Sequence, residues 1–382
     1  MLIQNTSTNL KLYFIAPFVL FFMSCSNDDN DVSIPTEKDL TTTLTEYLDQ
    51  NQSDSDPGLS ILIKYQGEIL YQNHKGLARL EGNHAINQHT GFRIGSITKT
   101  ITAISIMKLV EQNQISLEDR LLDILPDLPN SFTNITIAHL LSHRSGLLDY
   151  IDDNNNLSSL DGVTISQIPS IIPGSGLGNL LFEPGSEGEY SNTGYVFLAL
   201  VIEEVSGMSY PDFLKENIFE PIGMINTFVI YEDEHLGDVN ANYALSFGNS
   251  IKVLGFDSLI YGGSGVVSST HDLNLFTEAL LNFDIITEQS LNTMTATQGP
   301  VEEIADYGYG WMTGTGKYWH TDELSDPNDF WHSGGFDGYR SVLSINPDLD
   351  LQVIILTNNG DKSQAIMWEI MRLTRTHIKS NS

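Results

Sequence analysis

The strand-forming residues of this chain lie near its two ends, with a long strand-poor stretch between them, and few architectures accept that arrangement. Residues 58–76 (GLSILIKYQGEILYQNHKG) place two apolar runs on either side of Gln66-Gly67, the pattern of a β-hairpin. Strand signals return only at FWHSGG (330–335), YRSVLSI (339–345) and LDLQVIILTNN (349–359), with Asn346-Pro347-Asp348 as the turn between the last two. From about 116 to 255 the chain reads as helices and loops, punctuated by Pro126, Pro129, Pro173, Pro184-Gly185 and Pro221. Helical spacing also marks Thr36–Gln50, Ser96–Gln112 and Ser363–His377, the middle one largely apolar and so expected to be buried. The fold class expected is α+β: an antiparallel sheet flanked by N- and C-terminal helices, with a mainly helical region inserted between its halves. The sheet part takes about 36–95 and 256–382, the helical part about 96–255, and a cleft should open where they meet. No internal repeat is visible.

Charge and cysteine content narrow the function. With 18 Lys+Arg against 49 Asp+Glu and a net charge of -31, the chain has no basic stripe for phosphate backbones, so nucleic acid is excluded as a partner. One cysteine, Cys25, rules out a disulfide framework and a cysteine-based zinc site. Its setting explains it: Lys11, the apolar run Leu12–Met23, the small Ser24 and then Cys25 follow the order of a secretory signal. The run is shorter than the roughly 20 apolar residues a membrane-crossing helix needs. Phe22-Met23-Ser24-Cys25 resembles a bacterial lipoprotein cleavage box, which implies a signal peptide over 1–24 and a lipid on Cys25. The acidic run SNDDND then begins a flexible tether over 25–35 that resembles the export signal of surface lipoproteins, ahead of one folded domain over 36–382. The expected address is extracytoplasmic, anchored by lipid to a bacterial membrane, the outer one by expectation, and facing periplasm or cell surface.

Three short elements carry chemistry. Two Ser-x-x-Lys pairs occur, Ser96/Lys99 and Ser105/Lys108, and context separates them. Ser105 lies inside a helical run, where its hydroxyl bonds a preceding carbonyl. Ser96 follows Gly95 at the helix entrance, where unpaired N–H groups and the positive end of the helix dipole favour a developing anion. Lys99 is one turn along on the same face, and burial among Ile97, Ile101 and Ala103 would depress its pKa enough to make it a base. The second element is Tyr190-Ser191-Asn192, offering a phenol to relay a proton and an amide to bond a substrate carbonyl. The third is His332-Ser333-Gly334-Gly335, whose paired glycines suit close approach of another backbone, as when an extended substrate adds to a sheet edge. The N–H groups of Ser96 and Gly335 would form an oxyanion hole.

The order of these elements, at helix entrance, helical-region loop and late strand, resembles that of the serine hydrolase family comprising class C β-lactamases and low-molecular-weight DD-peptidases. The resemblance runs from about Leu40 to Ile378 and includes ITIAHLLSHRSGL, FEPGSEGEYSNTGY, FLKENIFEPIGM, GGSGVVSSTHDL, YGYGW and HSGGFDGY. It implies a β-lactamase/transpeptidase-like fold with Ser96 as the acylated nucleophile, Lys99 as its base or pKa modulator and Tyr190 assisting proton transfer. Asn192, His332 and Ser333 are then the substrate-positioning residues. The third motif departs from the lysine many β-lactamases of this family carry. A neutral His332 offers little charge to a substrate carboxylate, and if it positions substrate, kcat/KM should titrate near roughly 6 to 7. Arg340 is the nearest cation in sequence, with an orientation that depends on strand register.

The reading implied is an extracytoplasmic serine hydrolase acting on a peptide, most of all a D-alanyl-D-alanine peptide, a β-lactam or an ester, in that order, with no cofactor. An inert lipoprotein that keeps the fold to bind cell-wall peptide is the competing class. His139 and His143 share a helical face at metal-ligand spacing, but the metalloprotease glutamate is absent because position 140 is leucine, so no metal is expected. No Gly-x-Ser-x-Gly elbow occurs.

Overall fold

The computed structural model describes residues 39–80, 82–151, 165–170, 178–230, 261–302, 305–316, 326–336 and 338–381. The signal peptide, Cys25 and the tether expected from the sequence lie outside the described residues. Helix α1 (Leu40–Asn51) starts at Asp39, whose carboxylate accepts the Thr42 N–H, and it buries Leu40, Leu44 and Leu48 at four-residue spacing. Strands β1 (Leu59–Tyr65) and β2 (Glu68–Lys75) form the hairpin. Its tip places Gln66 at φ 51° and Gly67 at φ 77°, as a two-residue turn with two left-handed positions requires. Short strands β3 (Leu77–Arg79), β4 (His84–Ala85) and β5 (Phe92–Arg93) lead to one turn of 3₁₀ helix, Gly95–Ile97, and then to α2 (Thr98–Glu111).

The helical region contributes α3 (Leu121–Ile124), α4 (Ile137–Leu141), α5 (Asn192–Ser206) and α6 (Tyr210–Leu214). Strands β6 (Phe228–Val229) and β7 (Val266–Ser268) join β5 in a small sheet of order β5-β7-β6. Helices α7 (Thr270–Leu281) and α8 (Glu288–Thr295) precede strands β8 (Pro300–Val301), β9 (Ala305–Tyr307), β10 (Met312–Gly316), β11 (Phe330–Phe336), β12 (Tyr339–Asn346) and β13 (Leu351–Thr357). Helix α9 (Gly360–Asn381) closes the chain. Among the described residues the main sheet is antiparallel and eight-stranded, in the order β2-β1-β13-β12-β11-β10-β9-β8, so the first hairpin pairs with the last strand.

Both faces of this sheet are covered, which is why β13 carries the consecutive apolar residues Val353–Leu356. Ile61, Ile63, Val353 and Ile355 face α1 and α9, packing with Leu44, Leu48 and Ile370. The alternate residues Leu62, Ile354 and Leu356 face the opposite core, which contains Ile101, Ile104 and Phe197 of α2 and α5. Each such side chain contributes roughly 1.5–3 kcal/mol by leaving water. A buried ion pair, Arg375 Nη1 to Asp329 Oδ2 at 2.8 Å, ties α9 to the residue before β11. Charges so enclosed cost about 3–5 kcal/mol if one partner is removed, so the pair fixes where β11 begins.

The α+β architecture expected from the sequence is the observed one. Strands β3–β10 and helices α7 and α8 extend it beyond the elements read from sequence. The added strands are short and glycine-rich at YGYGWMTGTG, which removes the alternation that marks a strand.

Candidate active site

The helix entrance sits against β11. Gly95 has φ 53°, and a Cβ there would lie 2.8 Å from the Gly335 N and 2.9 Å from its O. A Cβ on Gly334 would lie 2.0 Å from the Ile94 O and 2.3 Å from Ser341 Oγ. The Ile94 carbonyl is held in place by the Ser341 hydroxyl, which donates to it at 2.8 Å. The backbone that the paired glycines admit is therefore the chain's own Ile94–Ser96 turn. Strand β10 pairs only with Phe330 and Trp331 of β11 among the described residues, so from His332 onward β11 is paired on the β12 side alone. Among the described residues no strand pairs with its other edge there, and Ser96 is half-buried.

Lys99, in the first turn of α2, is fully buried. Its Nζ lies 3.2 Å from Ser96 Oγ, and donates to Asn192 Oδ1 at 2.6 Å and to the Gly263 O at 2.8 Å. Burial pushes its pKa down to about 7, while the nearby Asp149 carboxylate pulls it back up. A neutral amine has two N–H groups and one lone pair; the two carbonyls take the N–H groups, which leaves the lone pair directed at Ser96. Asn192 opens α5 after its N-cap Ser191, and its side-chain N–H donates to Asp149 Oδ2 at 2.7 Å. The Asn192 amide thus bonds Lys99 through its oxygen and Asp149 through its N–H.

The Tyr190 ring faces this amine, with Lys99 Nζ 4.8 Å from its centroid. Behind Tyr190 lies the buried His143 ring, centroids 4.2 Å apart, and Tyr307 meets His143 edge-on at 4.6 Å. The Tyr307 hydroxyl in turn pairs with His332 Nε2 at 2.9 Å, while His332 Nδ1–H donates to the Ser333 O at 2.7 Å. Together these bonds fix one neutral tautomer. His332 is sealed, and burial, with Lys99 adding to it, lowers its pKa to about 3.

One expectation changes here. His332 lies beside the site, its ring 6.4 Å from that of Tyr190, but it is sealed and bonded to Tyr307, and its titration moves from near 6–7 to about 3. The cause is burial: Phe330, Trp331 and His332 are all sealed, and the strand becomes partly exposed only from Ser333 onward. Ser333 is half-buried and uses its carbonyl to hold the His332 ring. Arg340 pairs across the strands with Gly335, and its Nη1 donates to the Tyr339 O at 2.8 Å. Ser105 is sealed inside α2, its hydroxyl donating to the Ile101 O at 2.9 Å. His139 Nδ1 accepts the Thr136 N–H and His143 Nδ1 accepts the Ser191 N–H, so the two rings serve separate backbone contacts. His143, Gly263 and Tyr307 complete the site from within the stretches ITIAHLLSHRSGL, GGSGVVSSTHDL and YGYGW, though nothing in those stretches singled them out, and Asp149 joins them from outside any motif. A polar residue next to an apolar run, as at Leu147-Leu148-Asp149, is the nearest thing to a signal.

A hydroxyl at a helix entrance, a buried amine beside it and a phenol facing that amine define the class: a serine hydrolase. The chain belongs to the Beta-lactamase family, whose model matches residues 43–376. It is 32% identical over 324 residues to penicillin-binding protein 4* of Bacillus subtilis, covering 80% of this chain and 69% of that one. It is 25% identical over 313 residues to protein flp of Staphylococcus aureus, covering 79% of this chain and 59% of that one. The octameric penicillin-binding protein homologue from Pyrococcus abyssi superposes with a TM-score of 0.70 at 25% identity, over 88% of this chain and 76% of that one.

Proposed function

We propose that this protein is an extracytoplasmic hydrolase that forms an acyl-enzyme on Ser96 and acts foremost on a D-alanyl-D-alanine peptide. The observation that carries the reading is the neutralised Lys99 amine, 3.2 Å from Ser96 Oγ with its N–H groups already engaged. Lys99 takes the hydroxyl proton as Ser96 Oγ bonds to the acyl carbon, and the carbonyl electrons move to oxygen. That oxyanion is held by the N–H groups of Ser96 and Gly335. On collapse the bond to the leaving group breaks, and Tyr190 passes the proton from Lys99 to it. Water then attacks the ester, releasing the acid and restoring Ser96. Relatedness to penicillin-binding proteins supports the peptide over the β-lactam, as does the β11 edge that no strand pairs with among the described residues, where an extended peptide can add as a strand. The lipid on Cys25 and attachment to the outer membrane belong to the same proposal, on the sequence alone.

Fluorescent penicillin or a fluorophosphonate should leave one covalent adduct, lost in Ser96→Ala and kept in Ser105→Ala. Absence of an adduct with both reagents overturns the proposal.

The burial of His332 favours a second reading, in which the acyl donor is an amide or ester without a free carboxylate, because this strand position supplies no cation. Comparing a D-Ala-D-Ala peptide with its C-terminal amide decides between them: faster turnover of the amide supports the second, faster turnover of the acid the first.

A further inference from the structure

His143 stands in an unusual position for a residue with only a packing role. It adopts φ 57°, a left-handed backbone that non-glycine residues rarely take, so the surrounding structure holds it there. From that position it grips the backbone on both sides of Tyr190: its carbonyl accepts the Glu189 N–H at 2.9 Å and its Nδ1 accepts the Ser191 N–H at 3.1 Å. The N–H of Tyr190 itself donates to Glu302 Oε1 at 3.1 Å, so three successive amides are tied down, two of them by one residue. The ring continues the work of the backbone. It lies 4.2 Å from the Tyr190 ring at an interplanar angle of 31°, while Tyr307 presses on it from another side. Its Nε2 is buried and has no hydrogen-bond partner among the described residues, a cost that packing alone does not offset.

We infer that His143 is a positioning residue for the phenol: it sets the height of the Tyr190 backbone and the tilt of its ring, and through them the distance of the hydroxyl from Lys99 and the leaving group. The inference rests on the reading of Tyr190 as the proton relay. Proton relays act only within hydrogen-bond reach, so a small displacement of the ring is felt in kcat more than in KM. Two features of the residue are separable. His143→Phe keeps a ring against Tyr190 and loses the acceptor for Ser191, whereas His143→Asn tolerates the left-handed backbone and offers Oδ1 to the same N–H.

The test is a double-mutant cycle with Tyr190→Phe, read as hydrolysis of a p-nitrophenyl ester and as the rate of fluorophosphonate labelling. Tyr190→Phe and His143→Phe should each lower kcat by roughly 100-fold with KM within about threefold, and His143→Asn should recover to within about tenfold of wild type. The double variant should be no slower than the worse single one within about threefold, because a residue that acts through the hydroxyl has nothing left to act on. Additive losses in the double variant overturn the inference, as does a folded His143→Phe with wild-type kcat. If His143→Phe does not fold, His143→Asn carries the cycle, and its smaller loss should vanish in the Tyr190→Phe background. Wild-type activity in Tyr190→Phe alone removes the relay itself, and is told apart by that single variant.

Discussion

Asp149 Oδ2 accepts the Asn192 side-chain N–H at 2.7 Å, and this contact decides which end of the amide faces Lys99. With the N–H end occupied, the carbonyl end is left to bond the amine at 2.6 Å. The same carboxylate is the one charge that holds the Lys99 pKa up against burial. Asp149→Asn should therefore shift the acid limb of kcat/KM to lower pH and reduce the plateau by about tenfold, as the freed amide turns. A pH–rate profile on an ester substrate checks both effects, and a limb that stays in place would remove Asp149 from control of the base.

In the wild type, activity should fall as pH drops through about 7, the point at which Lys99 gains its proton and ceases to be a base. The same displacement has a consequence for stability. Between about 7 and the unfolded value of roughly 10.4, the unfolded chain binds the more protons, so the Lys99 contribution becomes more favourable as pH rises through that window. Urea unfolding of wild type and Lys99→Met at pH 7, 8.5 and 10 should show the difference moving in favour of wild type at each step. A constant difference would mean that Lys99 titrates alike in both states.

His332 should leave no trace in the activity profile near neutrality, because its folded pKa lies at about 3. His332→Gln should keep the limb near 7. Below roughly 6.5 the unfolded chain gains a proton that the folded chain refuses, so wild type should lose stability on acidification down to about 3, and the variant less of it. Leaving the Tyr307 hydroxyl poorly paired should cost about 1–3 kcal/mol at neutral pH. Thermal unfolding across pH 4–8 measures both.

Gly334→Ala places a methyl group 2.0 Å from the Ile94 O, with backbone on one side and the strand on the other. The turn carrying Ser96 must then move away from β11. The expected result is a loss of about 1–3 kcal/mol in stability together with slow or absent labelling of Ser96. Normal labelling in a folded variant would show that the close approach does not set the geometry of the nucleophile.

The sequence made some of this site legible and concealed the rest, for physical reasons. Ser96 and Lys99 could be found because a helix start is a local event: a glycine, a polar residue and an apolar run suffice. The hairpin was legible from Gln66-Gly67 in the same way. Helix α7 also carried a local signal, the Ser269 cap on Asp272 followed by Leu273, Phe276 and Leu280 at helical spacing. Strands β8–β10 did not, since glycines replace the alternating apolar residues. The titration of His332 depended on how deeply the first half of β11 is buried, which the packing of the sheet sets and the tetrapeptide does not. Asp149, Gly263 and His143 join the site through contacts 43–164 residues apart in sequence, where periodicity carries no information.

The contact between Ile94 and β11 joins parts of the chain translated at very different times. While a ribosome is still making the middle of the protein, the helix bearing the serine already exists as a segment, yet the glycines that shape its first turn and the hairpin's partner strand have not been synthesised. The contacts that shape this turn are non-local and form only once the last strands are present. In a nascent chain the turn that carries Ser96 has nothing to close against until the last strands are made.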